Sequence, residues 1–457
     1  MKRFKIDTIL FIIIISILGI SNLLNFDKPS ISKLENRALK RKPQFSLAEL
    51  FRGSYLKDFE EYYSDTFILR DNLLKINRDL RYAIEFLGSD ISLVTAYEDI
   101  QMPEEKDDEY KVSAAENAEL LHPETAQSIT DGKSTPSQTE SSIPKPKAEE
   151  ELKKDFGDGK DVGYWLVVDG KAVQLFKFNK ENFEYYSQVL NKFSEKLGSN
   201  VKIYSMIPPT AANFMILKRY KGITDSQNDA LAFLKSKLDE NISFVNVYDP
   251  LNEHKEEYIY FRTDHHWTAL GAYYAYASLM KTMGEEPVAL EQYETINLGD
   301  YLGSSYTKTL DKSLEKNPDN VVAYKPFTDN EYFMYSGTDE KKADIIDMKY
   351  ADDIKNKYLA FMSTGGATWS VVKTDVNNGK KIMVVKDSFG NVLIPFLLPH
   401  YEEIYVVDAR FYSKSVTGKN IVQFIEDKGI NELLFVIYME DVNWHKFMQG
   451  VENLLGS

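Results

Sequence analysis

The chain of 457 residues contains no cysteine. That single absence excludes disulfides, thiolate nucleophiles and cysteine-ligated metals together. Histidine is scarce, with six residues, so each one is worth locating. No long basic run follows the first few residues and the formal net charge is −15, which argues against a nucleic-acid partner. No internal repeat is evident. What the chain does have is apolar mass, 43% hydrophobic and 13% aromatic residues, enough in composition for a sizeable core and for two or three domains in length.

One long apolar run stands at the start. Met1-Lys2-Arg3-Phe4-Lys5 is basic, and Ile6 to Leu24 is almost wholly apolar apart from Asp7, Thr8, Ser16, Ser21 and Asn22. About nineteen residues at 1.5 Å rise come close to a bilayer core, and the basic flank predicts a cytoplasmic N-terminus. A cleaved signal peptide is the rival reading, but no Ala-x-Ala-like site follows the run. The expectation is an uncleaved anchor over residues 1–27, a single-pass position in the cell membrane with the rest on the extracellular side, and the lipid bilayer as a partner.

Residues 28–101 read as a helical lead-in, with apolar residues at helical spacing over about 54–63 and 66–87. From 102 to 160 Glu, Asp, Lys, Ser, Thr and Pro dominate and large apolar residues nearly vanish. Such a segment cannot bury enough surface to offset its ordering entropy and reads as a disordered acidic linker. From 161 to 457 apolar strands alternate with amphipathic helices, among them Val201–Met206, Phe244–Val247, Lys381–Val385, Ile404–Val407 and Leu433–Ile437. That alternation predicts an α/β fold, a mostly parallel sheet flanked by helices. The stretch from Leu298 to about Val376 is irregular and reads as loops and hairpins beside the site.

The stretch Phe261-Arg262-Thr263-Asp264-His265-His266-Trp267-Thr268 holds two adjacent histidines behind an acid. Thr268 can cap the Ala- and Gly-rich helix that follows. In an extended backbone Asp264 and His266 share a face and His265 points away. A carboxylate beside an imidazole fixes its tautomer and favours its protonated form, as the base of a serine nucleophile requires. The plainer reading is a buried polar turn. Farther on, Lys386-Asp387-Ser388-Phe389-Gly390-Asn391 lies between a strand and a helix. A serine there sits at the carboxyl edge of a parallel sheet, at a helix N-terminus whose free N–H groups favour a developing oxyanion. Gly390 leaves space beside it. An ordinary N-cap by Asp387 or Ser388 is the plainer reading.

These residues carry a family resemblance. Asp264-His265-His266-Trp267 resembles the namesake motif of the DHHW family, itself similar to alginate acetyltransferases of the AlgX and AlgJ type within the SGNH hydrolase superfamily. Asp387-Ser388-Phe389 resembles the Gly-Asp-Ser block of SGNH enzymes. Glu35-Asn36-Arg37 with Arg70-Asp71 resembles the family's N-terminal part. The resemblance implies an SGNH-hydrolase-like fold with Ser388 as nucleophile, His266 as base and Asp264 as its orienter. Asp-x-His precedes Ser, the reverse of ordinary SGNH esterases. Lys386 stands where SGNH enzymes have Gly. Their oxyanion Gly and Asn blocks have no secure match, which leaves Gly390, Asn391, Gly303 and Gly365 as candidates.

The function this implies is O-acetyl transfer to, or de-esterification of, a cell-surface polysaccharide, without a cofactor. The resemblance also implies an acetyl donor delivered by a multi-spanning membrane O-acyltransferase. A glycan-binding or scaffold protein that kept the fold without the chemistry is the second reading, to which the 29 tyrosines would suit sugar stacking. A zinc site from His254, Asp264, His265 and His266 ranks last, because adjacent histidines on an extended chain do not share a face. Asp408 and Arg410 follow a strand at the expected site edge and either contact substrate or form a structural ion pair. His122 reads as solvated in the linker, His400 as a helix-end residue and His445 as surface.

Overall fold

A computed structural model describes residues 13, 16–22, 24–25, 28–52, 54–76, 91–96, 163–168, 170–215, 224–362, 367–412 and 414–456. The chain divides into two units, Met1–Asp90 and Ile91–Ser457. The expected acidic linker over 102–160 lies outside the described residues, as does the latter part of the helical pattern over 66–87.

The first unit contains helices Leu47–Arg52 and Ser54–Asp65 and a two-residue ladder, Ile31–Ser32 with Arg37–Ala38. Charge holds it together. Arg37 donates to both oxygens of the buried Asp65, at 2.9 and 2.7 Å, and Arg70 donates to both oxygens of Glu35, at 2.7 and 3.1 Å. Two planar forks each matched to a carboxylate give direction as well as attraction. The N-terminal residues that resemble the family are therefore two halves of one ion-pair network.

The expected membrane anchor is overturned. Among the described residues no helix is long and apolar enough to cross a membrane, so the transmembrane part of the fold expectation falls, and with it the single-pass cell-membrane location. Of residues 1–15 only Ile13 is described, and what is seen is the end of the apolar run. Residues 16–22 are helical, but Asn22 is buried and its side-chain oxygen accepts from the Ile68 N–H at 2.9 Å and from Lys28 Nζ at 2.7 Å. Here the run ends in polar contacts with its own unit.

The second unit is built on an eight-stranded sheet. In chain order its strands are β1 Lys202–Met206, β2 Ile242–Val245, β3 Asn330–Ser336, β4 Asp339–Ala343, β5 Trp369–Thr374, β6 Lys381–Lys386, β7 Glu403–Asp408 and β8 Glu432–Val436. Their order across the sheet is β4-β3-β5-β7-β6-β8-β1-β2. The five strands from β7 to β2 run parallel, and β6, β7 and β8 carry the apolar runs expected of strands covered on both faces. Strands β5, β3 and β4 extend the sheet antiparallel. The stretch 298–376 contains the expected hairpin, β3 and β4 joined at Gly337, and strand β5 as well; these strands carry polar and aromatic residues, so they lack the apolar run that marks a buried strand.

Side chains alternate across this sheet. Ile382 and Val384 of β6 face one core cluster with helix α3 (Ala269–Met283) and the segment 390–401. Met383 and Val385 face another, with α1 (Lys180–Leu197), α2 (Gln227–Lys235), α6 (Ile421–Lys428) and α7 (His445–Asn453); α4 (Ser304–Thr309) and α5 (Gly390–Leu393) are short helices outside that layer. A three-stranded ladder, Ile91–Ala96, Gly163–Val168 and Lys171–Gln174, and a two-stranded one, Glu294–Tyr301 with Asp319–Lys325, complete the unit.

Candidate active site

Residues 262–266 form a bend, not a strand. A single antiparallel bridge between Tyr260 and Trp267 closes it. The Phe261 N–H donates to His266 O at 3.2 Å and the Thr268 N–H to Ile259 O at 2.9 Å. Within the bend Asp264 Oδ1 accepts the His266 N–H at 2.9 Å, the local turn that Asp makes readily with its own backbone. Alternation therefore fails for this loop, and His265 does not face away from His266: their ring centroids are 3.8 Å apart. Thr268 caps α3 by accepting the Gly271 N–H at 3.3 Å. A Cβ on Gly271 would lie 2.3 Å from Ile259 O, so only glycine lets the helix start this close to the loop.

The bend and the elbow after β6 meet. Ser388 Oγ lies 2.7 Å from His266 Nε2, and His266 Nδ1 lies 2.5 Å from Asp264 Oδ1. Through Oδ2, Asp264 also accepts the Tyr301 hydroxyl at 2.9 Å and the Ser304 N–H at 2.8 Å. Burial would raise the Asp264 carboxyl, but attraction to His266, its hydrogen bond, the neighbouring His265 and the Ser304 N–H hold it well below the usual carboxylate range. Asp264 is 1% exposed, whereas Ser388 is only half-buried. Gly303 sits against that acid. A Cβ there would fall 2.4 Å from the Asp264 side chain, and its N–H donates to Thr263 Oγ1 at 3.1 Å.

The elbow is held from both sides. Asp387 Oδ1 accepts the Phe389 N–H at 2.8 Å and Oδ2 accepts the Tyr438 N–H, and Trp267 Nε1 donates to Phe389 O at 3.1 Å. The helix after Ser388 is short: α5 has four residues and passes into a 3-10 turn over Ile394–His400 that carries two prolines. The N–H groups of Gly390 and Asn391 donate back to Asp387 O at 3.3 Å and Ser388 O at 3.2 Å. The open row of amides expected after Ser388 is therefore already engaged, because the Asp387 turn and the tight first turn use them. Asn391 is buried and its Oδ1 has no hydrogen-bond partner among the described residues. A Cβ on Gly390 would strike the Lys386 side chain at 2.6 Å. Gly365 lies outside the described residues. Arg410 donates to both oxygens of the buried Asp408, at 2.9 and 2.6 Å, and Asp408 stands beside Lys386 in the ladder; the pair is an ion pair at the sheet edge. Burial would raise Asp408, and Arg410 holds it below its ordinary value.

A sequence profile of the DHHW protein family matches residues 35–407, a span that contains the bend, the elbow and the N-terminal ion-pair network. The chain belongs to the DHHW family. Among solved structures it is similar to a DHHW family protein from Eubacterium siraeum, with 29% identity, a TM-score of 0.56, and coverage of 64% of this chain and 95% of that one. It is also similar to Bacillus cereus PatB1, solved once with a sulfonyl adduct: 20% and 22% identity, TM-scores of 0.51 and 0.53, each covering 61% of this chain and 95% or 96% of PatB1. These likenesses show a shared fold. No curated protein matches.

Several residues around the DHHW motif escape sequence reasoning. Asp319 is fully buried and accepts the Arg262 and Thr263 N–H groups at 2.7 Å each, the Thr263 hydroxyl at 2.5 Å and the Tyr258 hydroxyl. It fixes the entry to the motif from 56 residues downstream. Tyr301 and Ser304 hold Asp264, and Tyr358 packs on His266 at 3.8 Å between ring centroids. All four stand in polar, turn-rich sequence where nothing periodic marks them; the only available signal was aromatic density. His265 Nδ1 pairs with Ser304 Oγ at 2.6 Å. Asp264, His265 and His266 each bring one ligand atom within 4.8 Å of the others, but both nitrogens of His266 are already shared between Asp264 and Ser388. His254 pairs instead with Glu257 at 2.7 Å and stacks on Tyr274. His400 Nε2 lies 2.6 Å from the Tyr276 hydroxyl, His445 lies against Tyr185, and His122 is outside the described residues.

Burial, then repulsion from His266, holds His265 well below its ordinary value of 6.5. Below that pH the unfolded chain takes up a proton that the folded loop refuses, so the stability His265 confers is present above 6.5 and lost as pH falls. In His265→Gln, the drop in Tm between pH 7.5 and pH 5.5 is expected to shrink by about 2 °C relative to the parent. An unchanged pH slope would count against this origin.

Proposed function

We propose that this chain is a serine-dependent O-acyl enzyme that transfers an acetyl group to a hydroxyl of a polysaccharide, or releases it to water. The observation that carries the reading is the 2.7 Å approach of Ser388 Oγ to His266 Nε2 with Asp264 on the other ring nitrogen. His266 takes the Oγ proton as Ser388 attacks the acyl carbonyl, and the resulting imidazolium sits against the ionised Asp264. The imidazolium then protonates the departing donor oxygen, leaving acetyl on Ser388. In the second half His266 removes the proton of an acceptor hydroxyl or of water, that oxygen attacks the acyl carbon, and the proton returns to Ser388 as it leaves. The half-exposed serine suits an acceptor arriving from outside; the DHHW resemblance supplies the polysaccharide.

One observation favours a second reading, a glycan-binding scaffold without turnover: the Phe389, Gly390 and Asn391 amides that would meet an oxyanion already have acceptors. A single experiment separates the two. The protein is incubated with a model acetyl ester, or with a sulfonyl fluoride of the kind suggested by the adduct on PatB1, and digested for mass spectrometry. The enzymatic reading expects a 42 Da acetyl or a sulfonyl group on the peptide bearing Ser388, since acylation replaces a hydroxyl hydrogen by an acetyl group. An unmodified Ser388 under both reagents would leave the scaffold.

A further inference from the structure

Tyr358 touches both partners of the proposed reaction. Its ring lies parallel to the His266 imidazole, with centroids 3.8 Å apart and planes inclined by 11°. Its hydroxyl donates to the backbone carbonyl of Ser388 at 3.0 Å. The side chain is 6% exposed. No other side chain among the described contacts spans the base and the nucleophile's own peptide in this way.

We propose that Tyr358 is a positioning residue for the acyl-transfer step, clamping the plane of His266 and the peptide of Ser388 so that Nε2 and Oγ stay within hydrogen-bond reach. This rests on the reading of Ser388 and His266 as nucleophile and base. An imidazole bonded at both nitrogens can still rock about the line joining them, and a flat ring against its face removes that freedom. The Ser388 carbonyl receives only one other bond among those described, from the Asn391 N–H at 3.2 Å, a weak restraint in a helix of four residues. The tyrosine hydroxyl supplies a second, from a separate part of the chain. Burial, and then the charges of Asp264 and Asp387, keep the phenol far above its ordinary value, so it remains a donor throughout the accessible pH range.

The platform beneath Tyr358 is itself anchored. The tyrosine stands in the 3-10 turn Lys357–Ala360. Lys357 is buried and gives its ammonium to Leu298 O at 2.6 Å and to Ala351 O, which ties this turn to the strand that ends in Tyr301. Phe361, in the same segment, meets the Tyr358 ring edge-on. A flexible turn could not hold a ring at stacking distance; this one is fastened at its first residue.

The test compares Tyr358→Phe, which keeps the stack and removes the hydroxyl, with Tyr358→Leu, which removes both. The readouts are kcat and KM on a model acetyl ester and the rate of Ser388 labelling by a fluorophosphonate, in full-length protein shown to melt cooperatively. The expected order is parent, then Phe lower in kcat by about five- to tenfold, then Leu lower by about a hundredfold, with labelling slowed in parallel and KM within about twofold. A purely structural tyrosine would lower Tm without this split. A Phe variant with parental kcat, or losses confined to KM, overturns the proposal, and the Phe arm decides even if Leu does not fold. Ser388→Ala run alongside separates the two claims: parental turnover in that variant sinks the nucleophile assignment, whereas lost turnover there with unaffected Tyr358 variants sinks only the positioning role.

Discussion

Ser388→Ala is expected to lower acetyl-ester turnover by about 10⁴- to 10⁶-fold while leaving the fold intact. On the proposed mechanism the hydroxyl is the atom that carries the acetyl group, and what survives its loss is only the modest acceleration from binding and polarisation. The side chain is half-buried and its contribution to stability is one hydrogen bond to His266, so the variant should lose no more than about 1 kcal/mol. The acid and base keep their contacts with each other and with Tyr301, Ser304 and Tyr358. Activity and Tm therefore separate cleanly. Steady-state kinetics beside a thermal melt measures both, and turnover within tenfold of the parent at unchanged Tm would remove Ser388 from the chemistry.

Asp319→Ala should do the opposite and damage the fold first. The carboxylate is 0% exposed and is the shared acceptor for two backbone N–H groups and two hydroxyls at the entrance of the DHHW bend. Alanine takes the acceptor from the Arg262 and Thr263 N–H groups, while the Thr263 hydroxyl keeps the Tyr301 carbonyl at 3.2 Å and the exposed Tyr258 can turn to water. At about 1–3 kcal/mol for each buried orphan, reduced by whatever relaxation and water allow, the expected loss is about 4 kcal/mol. That corresponds to a Tm lower by about 5 °C in a unit of this size. Asp319→Asn keeps one acceptor oxygen and should lose roughly half as much. Turnover should fall with both, because Thr263 is the residue before Asp264 and its N–H is set directly by Asp319. A Tm within about 2 °C of the parent in Asp319→Ala would mean that the bend is held by its own bridge and not by this carboxylate.

The two variants probe different parts of one arrangement. Ser388 is presented by a β-strand in the middle of a parallel sheet, whose pairing on both sides with β7 and β8 leaves the strand end little freedom. His266 is presented by a loop that needs outside help: the Tyr260–Trp267 bridge, the Asp319 carboxylate and the missing side chains of Gly271 and Gly303. Rigid element and braced loop meet at 2.7 Å.

Local chemistry alone determined a good deal of this. Continuous apolar strands alternating with amphipathic helices required a sheet buried on both faces, because only that arrangement hides such strands from water. Asp-His-His-Trp before a capped helix, and Asp-Ser-Phe between a strand and a helix, marked the two segments that meet, since short-range turn and cap chemistry is written in consecutive residues. Three things belonged to the tertiary structure. The apolar N-terminal run met the length rule for a membrane span, yet its end is held by Asn22, a contact made with Ile68, which the sequence places 46 residues away. The direction of His265 depended on whether the motif bends, which the Tyr260–Trp267 bridge that closes the loop and the distant Asp319 decide. The residues that brace the acid and the base, Tyr301, Ser304, Asp319 and Tyr358, are joined to the motif by contacts across 37 to 92 residues, and no periodicity or motif encodes a partner at that range.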